Sequence, residues 1–104
     1  MGEFENEIRA LRDRTESNRR QFLRAEWQTC WTAIDRARLE LSLGNVDEAE
    51  REFAMATRGR EVMEKFLSEA PDPLPEIEQK LAELRAGLSS LRSDLDAHRG
   101  PARA

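Results

Sequence analysis

Two residues near the middle of the chain, Gly44 and Asn45, separate two long stretches with helical patterning. Glycine readily takes the left-handed backbone conformation that commonly closes a helix, so Gly44 is placed to end the first stretch. Asn45 is a favourable N-cap for the second, and Glu48 follows in the capping-box position. A connection of two residues makes the flanking helices pack side by side and antiparallel. The sequence therefore predicts a tight helical hairpin.

The hairpin carries small residues where two helices would cross closely, together with one bulky aromatic residue. The series is Ala33, Ala37, Gly44, Ala49, Phe53 and Ala56. Residues 33–61 thereby resemble a single tetratricopeptide repeat. Glu40 and Glu61 depart from that family's usual aromatic residue and closing proline. Arrays of this family need about three repeats to bury a continuous core, so one copy implies a hairpin of similar shape and not a peptide-binding superhelix.

The composition of the 104 residues favours helices over sheets. Charged residues make up 37% of the chain and tyrosine is absent, which is typical of long helices and coiled coils. A chain of this length is expected to form one domain, residues 1–104. The net charge of −4 gives no overall attraction to nucleic acid or to anionic membranes.

The first predicted helix spans residues 3–43, which contain neither proline nor glycine. Its later half has an apolar stripe at helical spacing, namely Leu23, Trp27, Cys30, Ile34, Ala37 and Leu41. Its earlier half carries Phe4, Ile8 and Leu11. Residues 12–20 hold no apolar side chain, so the sequence leaves open whether the helix continues straight there or breaks.

Two further helices are predicted over about 46–69 and 73–98. Asp72 is the expected N-cap of the last helix and Pro73 its first residue, because a proline needs no hydrogen-bond partner there. Apolar residues then alternate at spacings of three and four, as in a heptad seam: Leu74, Ile77, Leu81, Leu84, Leu88, Leu91 and Leu95. Residues 99–104 are expected to form a disordered tail. The prediction is an all-α, three-helix up-down-up antiparallel bundle with a tetratricopeptide-like hairpin and a long, protruding first helix.

Nothing else in the chain is long enough to cover Phe4, Ile8 and Leu11 on the protruding part of the first helix. An apolar stripe left uncovered in this way indicates a partner, and a second copy of the chain is the simplest one. We therefore expect a homodimer and a non-enzymatic interaction or scaffold module that works through helix packing, at these residues and at any uncovered part of the leucine seam.

An arginine-rich stretch over residues 9–24 supports an alternative function. A basic face made of Arg9, Arg12, Arg19 and Arg20 could contact nucleic acid phosphates, which would make the protein a nucleic-acid-associated accessory protein. The other interpretation is a solvated helix face, neutralised in an oligomer by Glu3, Glu5 and Glu7 of another chain. The acidic net charge and the lack of a helix-turn-helix pattern favour this second interpretation.

The remaining reactive side chains indicate packing more than chemistry. Cys30 is the only cysteine and is expected in the core, and His98 is expected at a solvated helix end. Trp27 and Trp31 continue an apolar stripe, although a ligand pocket beside them is the competing interpretation. No phosphate loop, catalytic spacing or zinc ligand set is recognisable, so we expect no enzymatic activity, cofactor or metal.

The compartment is predicted from three negative features. A single cysteine allows no internal disulfide, which fits a reducing environment, and the acidic N-terminal residues do not resemble a secretory signal. No apolar run approaches a membrane span. A cytoplasmic location is the expectation.

Overall fold

A computed structural model describes residues 2–99 and shows three helices: α1 over Gly2–Ser42, α2 over Val46–Glu69 and α3 over Pro75–Arg99. Within those residues there is no strand, which confirms the predicted all-α bundle. The first helix is unbroken across residues 12–20, where the sequence left the question open. Of the predicted tail over residues 99–104, Arg99 is the last residue of α3, and the rest lies outside the described residues.

The connection between α1 and α2 closes through backbone hydrogen bonds. Gly44 has a φ of 84°, and its N–H donates to the Leu41 carbonyl over 3.0 Å. The Asn45 N–H donates to the Glu40 carbonyl over 2.8 Å, which completes a Schellman ending of the kind Gly44 predicts. Asn45 itself makes no side-chain cap bond, so the predicted capping box is wrong; its Nδ2 donates to Glu40 over 3.5 Å instead.

The third helix begins two residues later than predicted, at Pro75. The carbonyl of Leu74 accepts from the N–H groups of Ile77 and Glu78, at 3.0 and 2.9 Å, so Leu74 occupies the N-cap position that was assigned to Asp72. Pro75 takes the first helical position that was assigned to Pro73. Pro73 and Pro75 both suit the first helical position, where a backbone N–H is not needed. The observed start of α3 at Pro75 goes together with the burial of Leu74, which is only 1% exposed.

The core is an apolar layer shared by all three helices. The whole leucine seam of α3 lies inside it, at exposures of 6% or less. The bundle therefore leaves no part of this seam uncovered for a partner. Small residues from the hairpin, Ala33, Ala37, Ala49 and Ala56, are buried between α1 and α2.

Two mid-helix glycines allow α1 to approach its neighbours closely. A Cβ on Gly59 of α2 would lie 2.3 Å from Cys30 Sγ, and a Cβ on Gly87 of α3 would lie 2.5 Å from the Trp31 ring. A glycine in a helix costs about 1 kcal/mol relative to alanine. Here each glycine leaves room for one α1 side chain, Cys30 or Trp31, which offsets that cost.

Polar contacts between the helices show their directions. Arg24 pairs with Glu76 over 2.6 Å, and Arg38 pairs with Asp94 at the other end of the bundle, so α1 and α3 run the same way. The connecting helix α2 runs against both. Arg92 of α3 makes a two-pronged contact with Glu50 of α2, at 3.1 and 2.7 Å. This hydrogen bonding lowers the pKa of Glu50 below its ordinary range.

The molecule is a rod of 72 × 20 × 16 Å. The 41 residues of α1 alone account for about 60 Å, at a rise of 1.5 Å per residue. Leu23 is the first buried residue among the described side chains of α1, and most of the helix before it extends past the main core. We call residues 2–22 the arm.

Candidate interaction surface

The arm carries an exposed apolar stripe. Phe4, Ile8 and Leu11 are 68, 43 and 61% exposed, and their spacings of four and three place them on one face of α1. These are the residues that the sequence singled out, and within the single chain no described residue covers them. Large apolar side chains lined up on a helix face are the usual basis of helix–helix association.

The same spacing continues beyond Leu11 to Thr15, Asn18 and Phe22. Phe22 is 39% exposed and packs on Phe66 of α2, with ring centroids 4.7 Å apart. The sequence analysis did not place Phe22 on this face. The signal was present, because steps of four, three, four, three and four lead from Phe4 to Phe22. We call these six positions, from Phe4 to Phe22, the arm stripe.

The arm stripe points in a different direction from the part of α1 that is buried. At about 100° per residue, it is rotated by about 90° from the line through Leu23, Cys30 and Ile34. α2 and α3 pack around that second line, and the arm stripe meets α2 at its inner end, through Phe22 and Phe66.

Towards the bundle, the arm stripe leads into an open groove between α1 and α2. This groove has a volume of about 270 Å³ and is lined by Thr29, Ala33, Met55 and Val62, with charged residues at its edge. Met55 and Val62 are 48 and 37% exposed. An apolar surface thus runs from the arm to the outer side of the hairpin.

The arginines of the alternative basic face are interspersed with acids. Arg19 lies 3.5 Å from Glu16, and Arg24 is paired with Glu76. An open cleft contains Arg20 and Arg24 together with three acids, Asp13, Glu16 and Asp72. Arg9 and Arg20 are exposed, and the side chain of Arg12 is outside the description. The arrangement is a mixed-charge surface, with no uninterrupted basic patch among the side chains described.

The two tryptophans pack inside the bundle. The Trp27 Nε1–H donates to the Lys80 carbonyl over 2.9 Å, and the Lys80 ammonium lies 4.0 Å from the Trp27 ring centre. Trp31 meets Trp27 edge to face at 6.3 Å and fills the space at Gly87. Both tryptophans are partly buried against the core, as expected for tryptophans that serve packing.

Cys30 is a buried thiol held against α2. It is 1% exposed, and its Sγ–H donates to the Ala56 carbonyl over 3.5 Å. Burial, reinforced by the charge of Glu26, raises its pKa to about 11. A reactive thiol requires a lowered pKa and access to solvent, and Cys30 has neither. Among residues 2–99, no cluster of three or more histidine, cysteine or acidic residues is arranged to hold a metal.

An open cleft of about 520 Å³ lies beneath the connection between α2 and α3. Leu67, Leu74 and Leu81 contribute its apolar wall, while Arg85 bridges to Glu64 over 2.8 Å at its edge. Asp72 and Glu78 also line this cleft, so apart from Arg85 its charged lining is acidic.

The fold and its exposed surface define a three-helix bundle with an apolar face left open on its longest helix. No known family model matches the chain, and neither do the curated proteins or the solved structures compared with it. The likeness to a tetratricopeptide hairpin therefore rests on the residues of the hairpin alone. No helix in the described part of the chain is both long and apolar enough to cross a membrane.

Proposed function

We propose that this chain is a non-enzymatic protein–protein interaction or scaffold module, and that it works by packing the arm stripe against another helix. The observation that carries this proposal is the exposure of Phe4, Ile8 and Leu11 at heptad spacing on an unbroken helix. The tetratricopeptide-like hairpin, in this proposal, anchors the arm and holds it straight.

The energy available on this face is sufficient for a specific contact. Full burial of one large apolar side chain contributes about 1.5–3 kcal/mol. Three such side chains offer several kcal/mol before the entropy lost on association is subtracted. A second copy supplies the same stripe, and a twofold arrangement then covers both arms at once. The partner that we propose is a second copy of this chain, so the module is a homodimer.

The unpaired Cys30 is compatible with a reducing compartment, which supports a cytoplasmic setting for the module. Trp27 and Trp31 both pack against the core, and this packing supports a role without a small-molecule ligand. The working surface of the module is the helix face itself.

Light scattering on a sizing column, over a range of concentrations, tests the proposal. The wild type is expected at the mass of a dimer. Ile8→Gln removes an apolar contact from each half of the interface, so it should raise the dissociation constant at least about tenfold.

The matched control is Leu43→Gln. Leu43 is 63% exposed at the far end of the hairpin, away from the arm, and its substitution should leave the mass unchanged. A wild type that stays monomeric at every concentration would remove the homodimer. An Ile8→Gln variant that dimerises like the wild type would remove the arm stripe as its interface.

A further inference from the structure

The net charge of α1 changes sign along the arm. Residues 2–8 contain Glu3, Glu5 and Glu7 and no basic residue, which gives −3. Residues 14–24 contain four arginines and one glutamate, which leaves +3. The acidic part forms the tip of α1, and the basic part lies where the arm meets the bundle.

This segregation distinguishes the two ways in which two arms can pack. In a parallel pair, the acidic tip of one arm would lie beside the acidic tip of the other, and the arginines would lie beside arginines. In an antiparallel pair, each acidic tip lies beside the arginine-rich segment of the other arm. Unlike charges a few ångströms apart attract by about 1 kcal/mol or more per pair even in water, and like charges repel equally. The antiparallel orientation is therefore favoured.

The apolar positions select one antiparallel alignment. Phe4 and Phe22, the two ends of the arm stripe, are equally distant from residue 13. Turning one arm around at that point places Phe4 beside Phe22 of the other copy, and Leu11 beside Thr15. It also places Glu5 on the same flank of the interface as Arg19 of the other copy. One alignment thus overlaps the whole stripe and brings an acid of each tip near an arginine of the other copy.

We propose that two copies pair antiparallel through their arm stripes, with the twofold axis at the level of residue 13 along α1. This inference rests on the proposed self-association and adds its geometry. In this arrangement Phe4 of each copy covers the exposed side of the Phe22–Phe66 pair of the other. The two polar positions of the stripe, Thr15 and Asn18, lie opposite Leu11 and Ile8, and polar residues in an apolar seam of this kind fix the alignment at some cost in stability.

Cysteine pairing between mixed variants tests the geometry. Leu11→Cys and Thr15→Cys are prepared separately, mixed, and oxidised under mild conditions. The native thiol can remain, because Cys30 is buried and its pKa is raised to about 11. The mixture should form a disulfide between the two variants, since positions 11 and 15 face each other. Neither variant alone should cross-link, since neither position faces itself.

Asp13→Cys is the matched control. It lies between the two test positions in sequence but on the opposite side of α1, so it should cross-link neither with itself nor with Thr15→Cys. Rapid cross-linking of Leu11→Cys with itself would overturn the proposal in favour of a parallel pair. A dimeric mass without any cross-link in the mixture would overturn the alignment.

Salt provides a second readout. Raising the ionic strength from about 0.05 to 0.5 M should weaken the antiparallel dimer roughly three- to tenfold, because attractive charges are screened. A parallel dimer would become tighter with salt. A monomeric mass throughout would overturn both the self-association and this geometry, whereas a dimer with the wrong cross-link overturns the geometry alone.

Discussion

The first helix passes through two different environments. In the bundle, Cys30, Ile34 and Ala37 of α1 are at most 1% exposed, because α2 and α3 both pack on them. In the arm, Phe4 and Leu11 are more than 60% exposed, although the helix is the same and unbroken. The backbone hydrogen bonds of α1 continue from one region to the other, but the packing of other helices against α1 does not.

This difference separates two sources of helix stability. The bundle part is held by buried apolar area contributed by other helices. The arm has only intrinsic propensity, its acidic first turn and local side-chain pairs such as Arg19–Glu16, each worth a few tenths of a kcal/mol. Helices without tertiary packing are marginal in water, so the arm is the part of α1 that benefits most from a partner.

The largest contrast between the two regions should come from shortening a leucine. Leu84 is 0% exposed, and Leu84→Ala should lower the free energy of unfolding by about 2–5 kcal/mol, because it removes buried contacts and leaves a cavity. Leu11→Ala, the same change in the arm, should alter it by less than about 0.5 kcal/mol at concentrations where the chain is monomeric.

Urea unfolding followed by circular dichroism measures both variants. Equal losses for Leu84→Ala and Leu11→Ala would mean that the arm belongs to the cooperative core, and the comparison would fail. If the loss for Leu11→Ala instead grows with protein concentration, association is what stabilises the arm, and the contrast between arm and bundle becomes sharper.

A pH titration contrasts a thiol in the bundle with one in the arm. The pKa of Cys30 rises from 9.0 to about 11 on folding. Above pH 9 the unfolded thiol loses its proton while the folded one keeps it, so stability is full below pH 9 and falls as the pH rises towards 11. The fall amounts to about 3 kcal/mol at most.

Urea unfolding at pH 8 and pH 10.5 measures this loss, and Cys30→Ser should remove the part due to the thiol. In parallel, Leu11→Cys should react with a thiol reagent at pH 8 far faster than Cys30, because the arm is exposed. Equal reaction rates at the two positions would show that the bundle around Cys30 opens readily.

The smallest predicted effect concerns a glycine in each region. Gly87→Ala should destabilise by about 1–3 kcal/mol, because its Cβ would meet the rigid Trp31 ring at 2.5 Å, and this outweighs the gain in helix propensity. Gly2→Ala, with nothing within 4 Å, should be neutral or slightly stabilising.

A double variant tests whether the contact with Trp31 causes the loss of stability in Gly87→Ala. Trp31→Phe removes the ring atoms nearest to Gly87, so Gly87→Ala should cost less in that background than in the wild type. If the cost is the same in both backgrounds, the close approach of α1 and α3 at this point is not what the glycine provides.

Much of the fold was predictable because its signals are local and repeated. The seven positions of the α3 seam occur at alternating spacings of three and four, and all of them are buried. Gly44 ends its helix in the predicted conformation, since few other residues tolerate a φ of 84°. The start of α3 was harder to predict, because Pro73 and Pro75 both suit a first helical position and the burial of Leu74 accompanies the choice between them.

The candidate surface was predictable only in part. Phe4, Ile8 and Leu11 could be picked out because the rest of the chain is too short to cover them. The continuity of α1 through residues 12–20 could not be deduced, because a run of polar residues suits both an exposed helix and a break. The role of Gly87 was missed as well. It depends on which α1 side chain lies opposite, and spacing within one helix does not contain that information.

Because α1 is unbroken, the arm cannot rotate about the helix axis independently of the bundle. Between Gly2 and Gly44 no glycine or proline interrupts the helix, so the angle between the arm stripe and the buried line of α1 is set by residue count alone. Inserting or deleting one residue in the arm would swing its outer part by about 100°, whereas seven residues would return it to within about 20° of its original direction. The length of the arm can therefore change only in steps close to a whole number of helical turns, such as seven or eleven residues, if its contact face is to keep its orientation towards the hairpin.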